Sequence, residues 1–379
     1  MTTAWKNNSC KILWVHLLVA TIAVPSSAQT GPTLPSGIEL GLGSGYTLPH
    51  RDMMQHLVTG HSKQIAIGCG WNLSGGWTDR RDATGHYWHG VELAWTELGG
   101  DALGTMTSAL WLTRFPSKIG HTELGLGAGW SSTPWNAESA PSSVAISTRL
   151  NAGLHAAWVF PILRTPRSAW LVKARFTHFS NGAISLPNLG INNIGLDLRH
   201  QWREEYDIPQ RRLTSYREER RGALALEMSL RAGVRDVGLP GGELHPIFNV
   251  HVLGLHHSKR SPSRAWVVAN DLGYNQSLRV TGAASGANSP LNRLQYSILG
   301  GARWDFNRIQ VTALQGWMCT NPDQELGAMY LMVTMHYECS PAVAIELGLK
   351  SFQFRADYPF IGFRHQLGSL KKGRLENVD

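Results

Sequence analysis

Cysteine is scarce in this chain, charge is thin, and past the N-terminal segment no apolar run is long enough to cross a bilayer as a helix. Of the 4 cysteines, Cys10 lies in the N-terminal apolar segment, which leaves Cys69, Cys319 and Cys339. An odd set allows at most one internal bridge. Cys319 and Cys339 sit near opposite ends of what reads as a hairpin with its turn around Asn321-Pro322-Asp323, a separation of about 30 Å in extended geometry, so no disulfide is expected. Cys-x-x-Cys and zinc-type spacings are lacking too. Only 16% of residues are charged and the formal net charge is +8. No block of basic residues suggests nucleic acid. Glycine strings such as Gly41 to Gly45 lack the following helix that a nucleotide loop needs.

What is present is apolar and turn-rich: 42% hydrophobic residues, 40 Gly and 15 Trp in 379 positions, too hydrophobic for a disordered protein. Lys6 and Lys11 precede the run Ile12 to Val24, and Pro25-Ser26-Ser27-Ala28 supplies small residues before Gln29. A basic start, a short apolar stretch and a small-residue end describe a signal peptide over residues 1–28, cleaved on export. Export through a signal peptide is the first constraint on location.

The rest of the chain is built of segments of about ten residues that alternate apolar and polar. Met329 to Glu338 is the clearest, with Met, Leu, Val, Met and Tyr at its odd positions. Similar strands are expected near 37–46, 63–72, 87–95, 102–112, 120–130, 144–158, 168–180, 190–202, 222–234, 246–257, 264–274, 293–304, 308–318, 342–351 and 358–367, with Gly, Pro, Asn and Asp between them. The string Glu39-Leu40-Gly41-Leu42-Gly43 recurs as Glu123-Leu124-Gly125-Leu126-Gly127 and is echoed by Glu346-Leu347-Gly348-Leu349, at irregular spacing. Many alternating strands behind a signal peptide predict an all-β fold. The form expected is an antiparallel transmembrane outer-membrane β-barrel of about 14 strands (12 to 16) over residues 36–369. A polar C-terminal tail is expected over 370–379. The charged segment 203–221 reads as a solvated loop between strands, and it is long for the short periplasmic turn that its position would require.

The segment Arg175-Phe176-Thr177-His178-Phe179-Ser180-Asn181-Gly182 carries chemistry. His178 and Ser180 are two apart on a strand, so they share a face, about 6.6 Å apart along the backbone. A serine nucleophile needs such an imidazole nearby, and a third group must fix its tautomer. Asn192 opens the next strand, where a hairpin returns it beside His178. Parity places Trp170, Val172, Phe176, His178 and Ser180 on one face with Asn192, Ile194, Leu196 and Leu198, and puts Lys173, Arg175, Asp197 and Arg199 on the other. In a barrel the first face meets lipid, where polar groups are costly unless they serve a purpose. His251, His256 and His257 have no acidic neighbour in sequence to complete a metal site, and His86 to His89 read as a strand start.

His-x-Ser-Asn-Gly, followed by Pro187-Asn188-Leu189-Gly190-Ile191 and the return strand, resembles the lipid A 3-O-deacylase (PagL) and acyloxyacyl hydrolase family in its long outer-membrane form. The resemblance implies an outer-membrane esterase that removes ester-linked acyl chains from lipid A of lipopolysaccharide. It assigns His178 as base, Ser180 as nucleophile, Asn192 as third member and Asn188 to the oxyanion; backbone donors near Asn181 and Gly182, or the Asn188 side chain, are expected to hold that oxyanion. Smaller deacylases of this family are barrels of about eight strands, less than half this chain, and carry Glu where this chain has Asn192. Outer-membrane phospholipase A is similar in its His-x-Ser-Asn-Gly and its Asn at that offset, and it relies on calcium. A phospholipase A-like acyl hydrolase, with calcium, therefore stays open beside a cofactor-free lipid A deacylase, as does a non-catalytic barrel that kept the motif. The partners expected are a membrane lipid (lipid A or a phospholipid) and the outer membrane of a Gram-negative-type bacterium, with no nucleic acid. A homodimer is left open.

Overall fold

A computed structural model of the chain describes residues 37–74, 86–116, 119–165, 167–203, 223–237, 242–259, 264–280, 290–306, 309–320, 327–352, 355–371 and 374–376. The expected signal peptide, the turn at 321–323 and nearly all of the 203–221 loop lie outside them.

The described chain is antiparallel β-structure with a few short 3-10 turns, and it falls into two compact units. The first contains β1 (Gly37–Leu48), β2 (Ser62–Ser74), β3 (His86–Glu97), β4 (Thr105–Pro116), β5 (His121–Ser131), β6 (Leu150–Arg164), β7 (Ser168–Ser180) and β8 (Ile191–Arg203). Each strand pairs with the next, and β8 pairs back onto β1 from Gly37↔Arg203 to Leu48↔Asn192, closing a ring of eight. The second unit contains β9 (Leu224–Asp236), β10 (Leu244–His257), β11 (Arg264–Asn275), β12 (Leu294–Phe306), β13 (Ile309–Met318), β14 (Met329–Glu338), β15 (Val343–Phe352) and β16 (Arg355–Lys371). It too pairs in chain order, and β16 returns onto β9 from Phe360↔Gly233 to Leu370↔Leu224.

The all-β antiparallel class and the strand count of the sequence reading stand. The single ring over 36–369 does not, because β8 finds β1 before β9 begins. The reason lies in the lumen. Eight strands enclose a space that side chains can fill, whereas a ring of twice that number leaves an aqueous channel. In the first ring Arg114 on β4 reaches Glu39 on β1 at 3.1 Å and Glu123 on β5 at 2.6 Å. Lys173 on β7 reaches Glu92 on β3 at 2.9 Å and Glu123 at 2.7 Å. Arg199 on β8 holds Glu92 at 2.7 Å and Asp197 at 2.6 Å. Such pairs across the lumen require a narrow ring. The second ring repeats the pattern with Arg303 and Arg364 on Glu227 and with Arg231 on Glu346, beside an apolar inner cluster around Leu253, Leu299, Tyr330 and Phe352.

The recurring Glu-Leu-Gly-Leu string has its cause in the same lumen. Glu39, Glu123 and Glu346 all point inward and are buried, each receiving a guanidinium, while the intervening leucines at 40 and 42 face out. The inward glycines make room. A Cβ on Gly41 would stand 2.2 Å from Arg199 Cδ, and one on Gly43 would stand 1.9 Å from Asp197 Oδ1. The outer faces are apolar in both rings, with Ile65, Leu93, Leu198, Val268, Trp317 and Phe363 among the exposed residues.

Three further boundaries differ from the sequence reading. Segment 370–379 is not simply a polar tail: β16 runs to Lys371, and β17 (Arg374–Glu376) returns beside it. The strands expected from 102 and from 144 begin later, at Thr105 and Leu150. In both places the apolar residues that mimic a strand start (Leu103, Ala145, Ile146) are buried in an end cluster instead.

Candidate active site

The end of the first ring at which β7 finishes and β8 starts carries the connections 49–61, 98–104, 132–149 and 181–190. Those connections fold inward. Met54 and Leu57 from a 3-10 turn, Leu98, Leu103, Ala145 and Ile146 pack with Met106, Phe179 and Ile191 into one buried cluster. This cluster gives the last residues of β7 a firm base, because Phe179 points into it while its neighbours point out.

Alternation along β7 is kept to its end. Lys173, Arg175 and Thr177 are buried in the lumen, and Trp170 and Phe176 are exposed on the outer face. His178, half-buried, and Ser180, 7% exposed, follow the outer parity. On β8, Asn192 is opposite His178 in the ladder, and Ile194, Leu196 and Leu198 continue outward. The register brings His178 Nδ1 within 2.6 Å of Asn192 Oδ1. A carbonyl oxygen only accepts, so Nδ1 carries the proton and Nε2 keeps the lone pair. That is the tautomer a base needs in order to take a hydroxyl proton through Nε2. Gly190, at φ +81°, lies against the imidazole, and a Cβ there would stand 2.8 Å from His178 Cε1.

The amide of Asn188 lies against the Ser180 hydroxyl, with Nδ2 2.9 Å and Oδ1 3.2 Å from Oγ. The same Oδ1 accepts from the Asn181 backbone N–H at 3.2 Å. Asn188 is held by a β-bridge to Ile146, and Gly190 N donates to Ala145 O at 2.9 Å. The Asn181 side chain donates to Ser147 Oγ at 3.2 Å. The 132–149 connection thus supports the 181–190 connection. Gly182 and Ala183 both adopt φ 68°, and Ala183 is a non-glycine residue in the left-handed region, a strain that such loops hold only when their surroundings enforce it. Asn188 Nδ2 donates at the Ser180 hydroxyl, where an oxyanion would form, while the Asn181 N–H holds the Oδ1 of the same amide.

His178, Ser180, Asn192, Asn188 and Asn181 are therefore gathered within one hairpin, with Gly182 next in its loop. One neighbour has no signal in the sequence. His50, just beyond β1, places Nδ1 3.0 Å from Asn192 Nδ2 and Nε2 2.9 Å from Leu189 O. It stands 142 positions from Asn192, outside any motif, and only the β1–β8 closure brings it there.

The other candidates stay apart. His251, read as lacking an acidic neighbour, has Asp271 at 3.2 Å from the adjacent strand, inside the second lumen. Among the described residues no group of three or more His, Cys, Asp or Glu could hold a metal ion. Cys69, Cys319 and Cys339 are free.

Comparison with known proteins gives one family. The model of the lipid A 3-O-deacylase (PagL) family matches residues 65–201, from β2 through β8. No curated protein matches the chain. Among solved structures, the crystal structure of the outer membrane enzyme PagL is similar at 17% identity and a TM-score of 0.29, over 42% of this chain and 97% of that one. A Rhodopseudomonas blastica porin triple mutant is similar at 11% identity and a TM-score of 0.20, over 88% of this chain and 99% of that one. The KdgM porin in complex with disordered oligogalacturonate gives 6% identity and a TM-score of 0.19, over 86% of this chain and 98% of that one.

Proposed function

We propose, from the premise that residues 65–201 carry the lipid A 3-O-deacylase (PagL) pattern, that the first ring is an outer-membrane serine esterase removing an ester-linked acyl chain from lipid A. One observation carries the reading: His178 Nδ1 on Asn192 Oδ1 at 2.6 Å, two residues from Ser180, on the apolar outer face of a ring. A polar triad on that face has no use in folding and suits a substrate that arrives through the membrane.

In this mechanism Ser180 Oγ attacks the ester carbonyl while its proton passes to His178 Nε2. Asn192 Oδ1 holds the imidazole by Nδ1–H throughout. Asn188 Nδ2 stabilises the oxyanion, and the sugar hydroxyl leaves with the proton from His178. Water, activated by the same imidazole, then cleaves the acyl-serine and frees the fatty acid. The chain's own groups supply each step, and calcium is not invoked.

Lipid A is preferred to a phospholipid because the family model that matches residues 65–201 is that of a lipid A 3-O-deacylase. The amide third member, Asn192, is what favours a phospholipase A-like substrate as the second reading. A pore is disfavoured by the ion pairs that fill the lumen. The apolar exteriors of both rings suit insertion in the outer membrane, and the second ring, whose β15 ends Lys350-Ser351-Phe352, is assigned no catalytic part.

The test is to incubate refolded protein with lipopolysaccharide and, separately, with phospholipid, and to read released acyl chains by mass spectrometry. Acyl release from lipopolysaccharide, lost in Ser180→Ala with heat-modifiable gel mobility retained, is expected. Release from phospholipid alone, abolished by chelator and restored by calcium, would establish the second reading, and turnover by the folded Ser180→Ala variant would remove the serine mechanism.

A further inference from the structure

An amide in the third triad position has a weakness that a carboxylate lacks. Turned over, Asn192 would present Nδ2 to His178 Nδ1, force the His178 proton onto Nε2, and so remove the lone pair that takes the Ser180 proton. Loss of the correct tautomer in a serine triad costs roughly 10⁴ in turnover. Something must therefore select the face of the amide.

We propose that His50 is the positioning residue that selects it, an inference that rests on the esterase reading above. The argument is one of donors and acceptors. His50 Nε2 lies 2.9 Å from Leu189 O, an acceptor only, so Nε2 carries the proton of the neutral ring. His50 Nδ1 is then a lone pair, and its neighbour at 3.0 Å must donate, which makes that neighbour Asn192 Nδ2. The opposite end of the amide, Oδ1, is thereby turned to His178 at 2.6 Å. A second carbonyl, Leu48 O, lies 3.3 Å from His50 Nδ1, longer than either of those contacts. It would gain a donor only if the proton sat on that nitrogen. The inverted amide would put Oδ1 against His50 Nδ1. The neutral ring can satisfy it only by moving its proton off Nε2 and giving up the bond to Leu189 O, so the contacts as they stand select the productive orientation. The relay runs Leu189 O, His50, Asn192, His178, with each donor facing an acceptor. His50 touches no reacting atom and is exposed at the end of β1, so its effect on packing is small.

The test uses the full-length refolded protein and a micellar p-nitrophenyl acyl ester, with kcat and KM measured separately and the refolded fraction checked for each variant. His50→Ala should lower kcat about tenfold or more, within the ceiling of roughly 10⁴ set by a wrong tautomer, with KM changed less than twofold. His50→Gln should recover most of the loss, since its amide can accept from Asn192 and donate to Leu189 O. In an Asn192→Asp background, where both oxygens accept and orientation no longer matters, His50→Ala should cost almost nothing further. Wild-type kcat in His50→Ala, alongside an inactive Ser180→Ala, would overturn this role while leaving the esterase intact. An equal loss from His50→Ala in both backgrounds would also overturn it, showing a structural part only. Ser180→Ala as active as wild type would instead remove the esterase reading and this inference with it.

Discussion

Gly190 illustrates how little space the His178 imidazole is given. Its φ of +81° is available to glycine at low cost, and a Cβ would come 2.8 Å from His178 Cε1. Gly190→Ala should therefore act twice. The left-handed conformation costs about 1–2 kcal/mol for a residue with a Cβ, and an imidazole displaced by about 1 Å loses on the order of 10²-fold in rate. The expected outcome is a folded enzyme, slightly lower in its urea midpoint, with kcat reduced far more than stability. Unchanged turnover would mean that His178 accommodates the methyl and that the contact is slack. Asn192→Leu belongs to the same scale: it should fold, because its face carries Ile194 and Leu196, and it should lose activity with the acceptor that orients His178 Nδ1.

At the scale of elements, the working unit is the β7–β8 hairpin braced by the 132–149 connection. His178, Ser180 and Asn192 are outward, but their rigidity comes from inward anchors. Phe179, 3% exposed, is buried with Met106, Ala145 and Ile146 directly beneath His178 and Ser180. Phe179→Ala should cost about 3–5 kcal/mol in unfolding free energy, as large-to-small changes in cores do. It should also lower turnover through the loosened strand end, even though Phe179 touches no catalytic atom. Denaturant unfolding in micelles measures the first effect and ester hydrolysis the second. A stable variant would show that the end cluster contributes little. The same cluster explains the misplaced start of β6: Val144-Ala145-Ile146 are apolar because they cover the ring's mouth, and alternation over so few residues cannot separate a cap from a strand.

For each ring as a whole, the decisive interactions are the buried ion pairs. Lys173 is fully buried between Glu92 and Glu123. Lys173→Met leaves both carboxylates short of a partner in the lumen. The loss should be about 3–5 kcal/mol, the usual result of breaking a buried pair by removing one side. The unfolding midpoint and heat-modifiable mobility report it, and the esterase activity proposed for the β7–β8 hairpin should persist in whatever fraction folds. A midpoint equal to wild type would mean that water or neighbouring cations replace the ammonium, and that the lumen is less dry than its packing suggests.

Composition and alternation were sufficient to determine the class of fold, the positions of sixteen strands within a few residues, and which side of each strand is apolar. Each of these follows from the two-residue period of a strand, which is local. The same parity put His178, Ser180 and Asn192 on one face, and the hairpin offset placed Asn192 beside His178, because both are properties of adjacent segments. Closure was not legible. Pairing of each strand with its successor is common to one ring of sixteen and two rings of eight, and the choice is made by β8 meeting β1 and β16 meeting β9, contacts far apart in the chain. Nothing periodic encodes them. They are selected by whether Arg114, Lys173 and Arg199 can reach their carboxylates across a narrow lumen. His50 was hidden for the same reason, since it meets Asn192 only because that closure brings the end of β1 to the start of β8.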